Sequence, residues 1–225
     1  WGLNDCGQCN VPAGLADAVA IAAGSSHNLA LRSDGTVVAW GVTNGGRCSI
    51  PPGLSNVVAI AAGSEHSLAL KTDGTVAAWG YSYNGVTNVP VGLSNVVAIA
   101  AGGYHSLALK SDGTVVAWGA GTSYTGSAPD LGQSQVPAGL GDVVAIAGGW
   151  EHSLALKSDG TVAAWGWNDY GQCNVPADLS NVVAIAAGAS SYHSLALCSD
   201  GAVVAWGSNE GGQGDAPEGL SNVVA

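Results

Sequence analysis

The chain has 225 residues, enough for one domain with a sizeable core; 47% of them are hydrophobic and only 9% charged. Three lysines (Lys71, Lys110, Lys157) and two arginines (Arg32, Arg47) stand against 16 acidic residues, for a formal net charge of −11. This balance excludes nucleic acid and anionic membrane surfaces as expected partners, since both are held by clustered basic side chains, and no apolar run reaches the ~18 residues needed to insert in a bilayer as a helix.

Trp1-Gly2 opens the chain and no methionine occurs anywhere in it. Trp-Gly recurs as the last pair of a module, and Val223-Val224-Ala225 matches the beginning of one. The chain therefore reads as a stretch of a longer tandem array, five complete repeats with parts of others. The repeat bodies run 18–41, 57–80, 96–119, 143–166 and 182–207, and they recur about every 39 residues. A repeat of that length is one supersecondary unit, unable to bury its apolar face without a neighbour.

Within each body three strands are expected in order. The first is of the VVAIAAG type, the second follows as HSLAL, and the third is TVVAW or TVAAW. Each is too short for a stable helix and rich in Val, Ile, Leu or Ala. Lys-Ser-Asp-Gly-Thr or a close variant separates the second from the third, and Asp-Gly predicts a two-residue type I′ hairpin. Alanine is a poor strand former, so its recurrence points to crowding, as where strands converge on the axis of a propeller. Trp40, Trp79, Trp118, Trp165 and Trp206 then fill the wider space between blades. Burying one such ring removes ~150–250 Å² from water, worth at most ~4–6 kcal/mol before entropy is subtracted.

The spacers between bodies are 15 residues long except 120–142, which is longer by eight, and the fifth body carries a two-residue insertion at Ala189 to Tyr192. Val11-Pro12, Val89-Pro90 and Val175-Pro176 fit a fourth, outer strand, since proline is tolerated at a sheet edge. Cys9, Cys48 and Cys173 recur with the spacer, as small half-buried residues would, while Cys6 with Cys9 forms a CxxC without the spacing of a zinc site.

At GGYHSLALKSDGTVVAWG the pattern of Gly, two variable residues, His-Ser-Leu-Ala-Leu, an Asp-Gly turn and Trp-Gly resembles the regulator of chromosome condensation repeat family. The resemblance covers nearly the whole chain and implies an all-β propeller with three to four antiparallel strands per blade. The short module is similar to bacterial members such as the secreted propeller-type β-lactamase inhibitor proteins. It implies a partner-binding face made of two loops per blade, the pair before His and the loop after Trp-Gly. Here the first loop holds Ser25-Ser26, Ser64-Glu65, Gly103-Tyr104, Trp150-Glu151 and Ala189 to Tyr192. The second holds Asn44-Gly45, Tyr81 to Asn84, Ser123-Tyr124, Trp167 to Tyr170 and Asn209-Glu210. Aromatic side chains gather in both, as in the anchors of protein interfaces. Tyr83, Tyr104, Tyr124, Trp150, Trp167, Tyr170 and Tyr192 are the expected partner-binding residues.

Catalysis has no residue set to support it. His27, His66, His105, His152 and His193 recur once per module, so they are expected to serve the scaffold by tying neighbouring backbone groups together, with no metal site. Glu65-His66 and Glu151-His152 are strand neighbours whose side chains point to opposite faces. His105 and Asp112, seven residues apart, are ~23 Å apart when extended at ~3.3 Å per residue. No phosphate loop or nucleophile elbow is present. The expectation is a non-enzymatic, cofactor-free protein-binding propeller at the cell surface, in the periplasm or outside the cell. Two alternatives stand beside it: a self-assembling element, because the terminal fragments supply five of 24 module positions, and a carbohydrate-binding propeller.

Overall fold

The computed structural model describes residues 3–215, 217, 220, 223 and 224, with the backbone alone at 124–126. Trp1, Gly2 and Ala225, part of the terminal module fragments read above, lie outside the described residues.

Five three-stranded antiparallel sheets follow one another, each in simple sequence order. The first holds β1 (Ala18–Ala23), β2 (His27–Arg32) and β3 (Val37–Gly41), and the second β4 (Val57–Ala62), β5 (His66–Lys71) and β6 (Val76–Gly80). The third holds β7 (Val96–Ala101), β8 (His105–Lys110) and β9 (Val115–Gly119). After a two-stranded hairpin, β10 (Tyr124–Ser127) with β11 (Asp130–Leu131), come β12 (Val143–Gly148), β13 (His152–Lys157) and β14 (Val162–Gly166). The fifth sheet is β15 (Val182–Ala186), β16 (His193–Cys198) and β17 (Val203–Gly207). These are the blades of an all-β propeller.

The first strands of successive blades, β1, β4, β7, β12 and β15, touch one another in turn, so the alanine-rich strands line the inside of the arc. Period-two alternation assigns the rest of the core. Leu68 and Leu70 of one blade face Ala108, Ile99 and Trp118 of the next. The same interlock recurs with Leu29 and Leu31 against Ala69, Ile60 and Trp79, and with Leu107 and Leu109 against Ala155, Ile146 and Trp165. A backbone link joins the outer ends of neighbours, since the turn carbonyls of Gly35, Gly74, Gly113 and Gly160 accept from the N–H of Val57, Val96, Val143 and Val182 at 3.1–3.2 Å.

Two details differ from the sequence expectation. The Asp-Gly turn is a three-residue loop in which only the glycine has positive φ, as at Gly74 (φ 74°). Asp73 keeps negative φ because its Oδ1 accepts from the Thr75 N–H at 3.0 Å and from the Thr75 hydroxyl at 2.6 Å, which favours a type I turn with a bulge. The proline segments form no fourth strand among the described residues. The Pro90 carbonyl accepts from the Leu93 N–H at 3.1 Å and bends the chain, so Val89 and Leu93 drop onto the core between blades instead of running along an edge.

Among the described residues, the fifth blade shares no such strand packing with the first. On β1, Ile21 is 79% exposed, whereas Ile60 and Ile99 at the same position are half-buried. The arc is bridged on one face by the longer loop of the fifth blade. There the Ser190 hydroxyl meets that of Ser25 at 2.5 Å and the Ala189 carbonyl accepts from the Ser64 hydroxyl at 2.9 Å.

Candidate functional site

The recurring histidines sit at blade junctions. His27, His66, His105 and His152 are buried, and each Nε2 lies 2.8–3.0 Å from a serine hydroxyl of the following blade: Ser67, Ser106, Ser153 and Ser194 in turn. Each serine spends its proton on a spacer carbonyl, those of Arg47, Val86, Gln133 and Gln172, so the imidazole must be the donor and carries its proton on Nε2. The same carbonyls accept from the indole N–H of Trp79, Trp118, Trp165 and Trp206. In the first blade Asn28 stands in place of the serine and shares the Gln8 carbonyl with Trp40. The partner of each imidazole is thus a side chain of the next blade, not the backbone group anticipated from sequence. Burial pushes the histidine pKa down, to about 4 for His27, with the Arg47 charge adding, and to about 3 for His66 and His105. His152 falls to about 4 for the same reason. His193, in the last blade, is half-buried.

The loops before these histidines and after the Trp-Gly pairs share one face. They are stitched by backbone bonds: the Gly103 N–H donates to the Gly149 and Trp150 carbonyls at 3.0 and 3.1 Å, and the Trp150 N–H donates to the Ser191 carbonyl at 3.1 Å. Five of the sequence-predicted aromatics meet there. Tyr104 packs edge-on against Trp150 (ring centroids 5.1 Å), Trp150 against Tyr192 (6.3 Å) and Tyr192 against Trp167 (5.1 Å). Tyr170 closes the group by stacking on Tyr192 at 5.5 Å and meeting Trp167 at 5.3 Å. Tyr83 instead stacks on Tyr81 (6.3 Å, 17°). Tyr124 lies in β10, and its side chain is outside those described.

Between the two aromatic groups opens a cleft of about 540 Å³ walled by Tyr81, Tyr83, Tyr104, Trp150, Glu65 and Glu151, with Ala128 and Pro129 of the β10–β11 connection along its rim. The eight-residue extension of the spacer thus contributes part of the site. Burial raises the pKa of Glu151, and burial with the Glu151 charge beside them raises those of Tyr104 and Tyr192. Tyr81 and the two glutamates were visible in the sequence as loop residues but were not among the expected partner-binding residues. Their signal was position alone, immediately after Trp-Gly or before His. Chemically the arrangement is a preorganised aromatic surface with carboxylates set into it.

Two of the cysteines brace the loops after Trp-Gly. Cys48 and Cys173 direct their thiols to the Val42 and Trp167 carbonyls at 3.2 Å, and burial pushes the Cys173 thiol up to about 12, which leaves it unreactive.

The family model for the regulator of chromosome condensation (RCC1) repeat matches residues 18–46, 57–86, 96–124, 143–172 and 182–213. Comparison with the curated proteins gives no match. Among solved structures, Prp20p from Saccharomyces cerevisiae superposes with a TM-score of 0.73 at 26% identity, over 92% of this chain and 61% of that one. Yeast RCC1 (Prp20) in its complex with Kap60 gives 0.68 at 28% identity, over 87% of this chain and 57% of that one. Human WBSCR16 shares the fold at 23% identity and a TM-score of 0.65, with 84% and 61% covered. The chain spans about three fifths of the length of these structures.

Proposed function

Because the chain belongs to the regulator of chromosome condensation repeat family, we propose that it is a non-enzymatic binding module that captures another protein on its aromatic loop face. The observation that carries this reading is the contact chain Tyr104–Trp150–Tyr192–Trp167 with Tyr170, which holds large rings partly exposed on backbone-stitched loops. Rings fixed in advance lose little entropy on binding and supply most of the contact energy of an interface. Relatives support the same use: Prp20p is described with binding properties to Gsp1p and histones, and yeast RCC1 was crystallised bound to Kap60. The test is affinity capture from the source organism with the wild type and with the triple variant Tyr104→Ala, Trp150→Ala, Tyr192→Ala. The variant keeps its far-ultraviolet dichroism and loses the partner; a partner retained by a folded triple variant overturns the reading.

A second reading, association between copies, is favoured by the open face of the first blade, where Ile21 is 79% exposed although its counterparts Ile60 and Ile99 are half-buried. Light scattering across concentration decides it, and a strict monomer rules it out.

A further inference from the structure

We infer that the cleft between Tyr81, Tyr83, Tyr104 and Trp150 is a receptor for one basic side chain, an arginine or lysine, presented by a partner protein. The inference rests on the loop-face reading above and names the chemistry of its central contact.

Three features point the same way. The walls are four aromatic rings, and the negative faces of such rings attract a cation while their apolar surface covers the alkyl stem behind it. The carboxylates differ in kind. Glu65 is already neutralised, for the Arg47 guanidinium pairs with it. Glu151 is not: its residue is only 5% exposed, its side chain lines the cleft, and no hydrogen bond or ion pair reaches its carboxylate among the described residues. A carboxylate that faces an enclosed, ring-lined cleft without a partner is incompletely solvated, and the natural compensation is a positive charge brought by the ligand. The rest of the molecule is suited to that ligand as well, because a net charge of −11 draws basic surfaces in from a distance and repels acidic ones.

The geometry also discriminates among ligand classes. An anion meets the unpaired Glu151 carboxylate and is refused. A neutral sugar stacks on the rings but leaves Glu151 uncompensated. A guanidinium or ammonium group satisfies the carboxylate and the rings together, and a polypeptide carries it on a stem long enough to reach from the rim.

The experiment uses the whole chain and three probes: the blocked tripeptide acetyl-Gly-Arg-Gly-amide, its citrulline counterpart of nearly equal shape without charge, and methyl glucoside. Ligand-observed saturation-transfer NMR and competition titration read binding. The arginine peptide is expected to bind at least tenfold more tightly than the citrulline peptide, and Glu151→Gln to remove most of that difference. Tetramethylammonium competes with the arginine peptide if the rings and the carboxylate act as described. Glu151→Gln is also expected to hold or raise the thermal midpoint, since it removes an unpaired charge from an enclosed cleft. A residue kept only for the fold would move the midpoint down and leave binding alone. Equal binding of the two peptides, unchanged arginine binding in a folded Glu151→Gln variant, or preferential saturation of the glucoside overturns the inference. Its failure is separable from failure of the loop-face reading. If Glu151→Gln retains a captured partner that the aromatic triple variant loses, only the charge assignment falls; if both retain it, the loop face itself does.

Discussion

Burial disfavours the charged form of an imidazole, and four of the five histidines are held neutral in this way at successive blade junctions, each donating from Nε2 to a serine hydroxyl while Nδ1 has no partner. Their pKa values in the folded chain, about 3 to 4, lie below the ordinary value near 6.5, so the unfolded chain binds more protons than the folded one between those limits. Stability is therefore complete above about pH 6.5 and is lost as pH falls toward 4, at up to about 1.4 kcal/mol per pH unit for each imidazole. The carboxylates of Asp73, Asp112 and Asp159, held down to about 2 chiefly by their hydrogen bonds to threonine, act in the same direction only at lower pH, as it falls from about 3.8 to 2. Urea titrations at pH 7.5 and pH 5 check the result: the midpoint falls sharply at pH 5, and equal midpoints would show that the imidazoles are not locked neutral. Sequence periodicity marked these histidines as scaffold, but not their partner. The serine that receives the proton lies 40 to 48 residues away, in a different module.

At the scale of the element, the strands and their order were legible because alternation, length and the Asp-Gly signal agree, whereas the turn geometry was not. A type I′ hairpin needs positive φ at two residues, and the aspartate prefers to cap the following threonine instead. That turn also joins two blades, since the Gly113 carbonyl accepts from Val143 and a methyl group on Gly113 would lie 3.3 Å from the Asp142 backbone. Gly139 has the same positive φ, 79°, with nothing within 4 Å of the added methyl. Gly139→Ala is therefore expected to cost about 1 kcal/mol for the backbone alone. Gly113→Ala is expected to cost more, about 2 kcal/mol or above, because it also presses on the next blade. Guanidinium unfolding of the pair measures the difference, and equal costs would mean that the junction yields freely. The aromatic loops were legible for a related reason, as bulky residues where the repeat varies. Glu151 was weighed in the sequence only as a partner for His152 and set aside, because adjacent strand residues point to opposite faces, and nothing local announced that rings from two other blades would enclose it.

At the scale of the whole molecule, the loop over 188–192 holds two positions at once. Ala189 and Ser190 reach Ser64 and Ser25 on the first two blades, while Ser191 and Tyr192 hold the backbone and the ring of Trp150. Deleting Ala189 and Ser190 is expected to leave the dichroism of the blades unchanged but increase the radius of gyration seen by small-angle scattering, as the first and fifth blades part. An unaltered scattering curve would show that packing between neighbours alone sets the curvature. The loop makes the width of the ring and the spacing of the aromatic side chains one mechanical variable. Because linkage between two such events runs equally in both directions, whatever closes on Trp150 and Tyr192 also tightens the gap across the ring, and a force that spreads the gap loosens the grip.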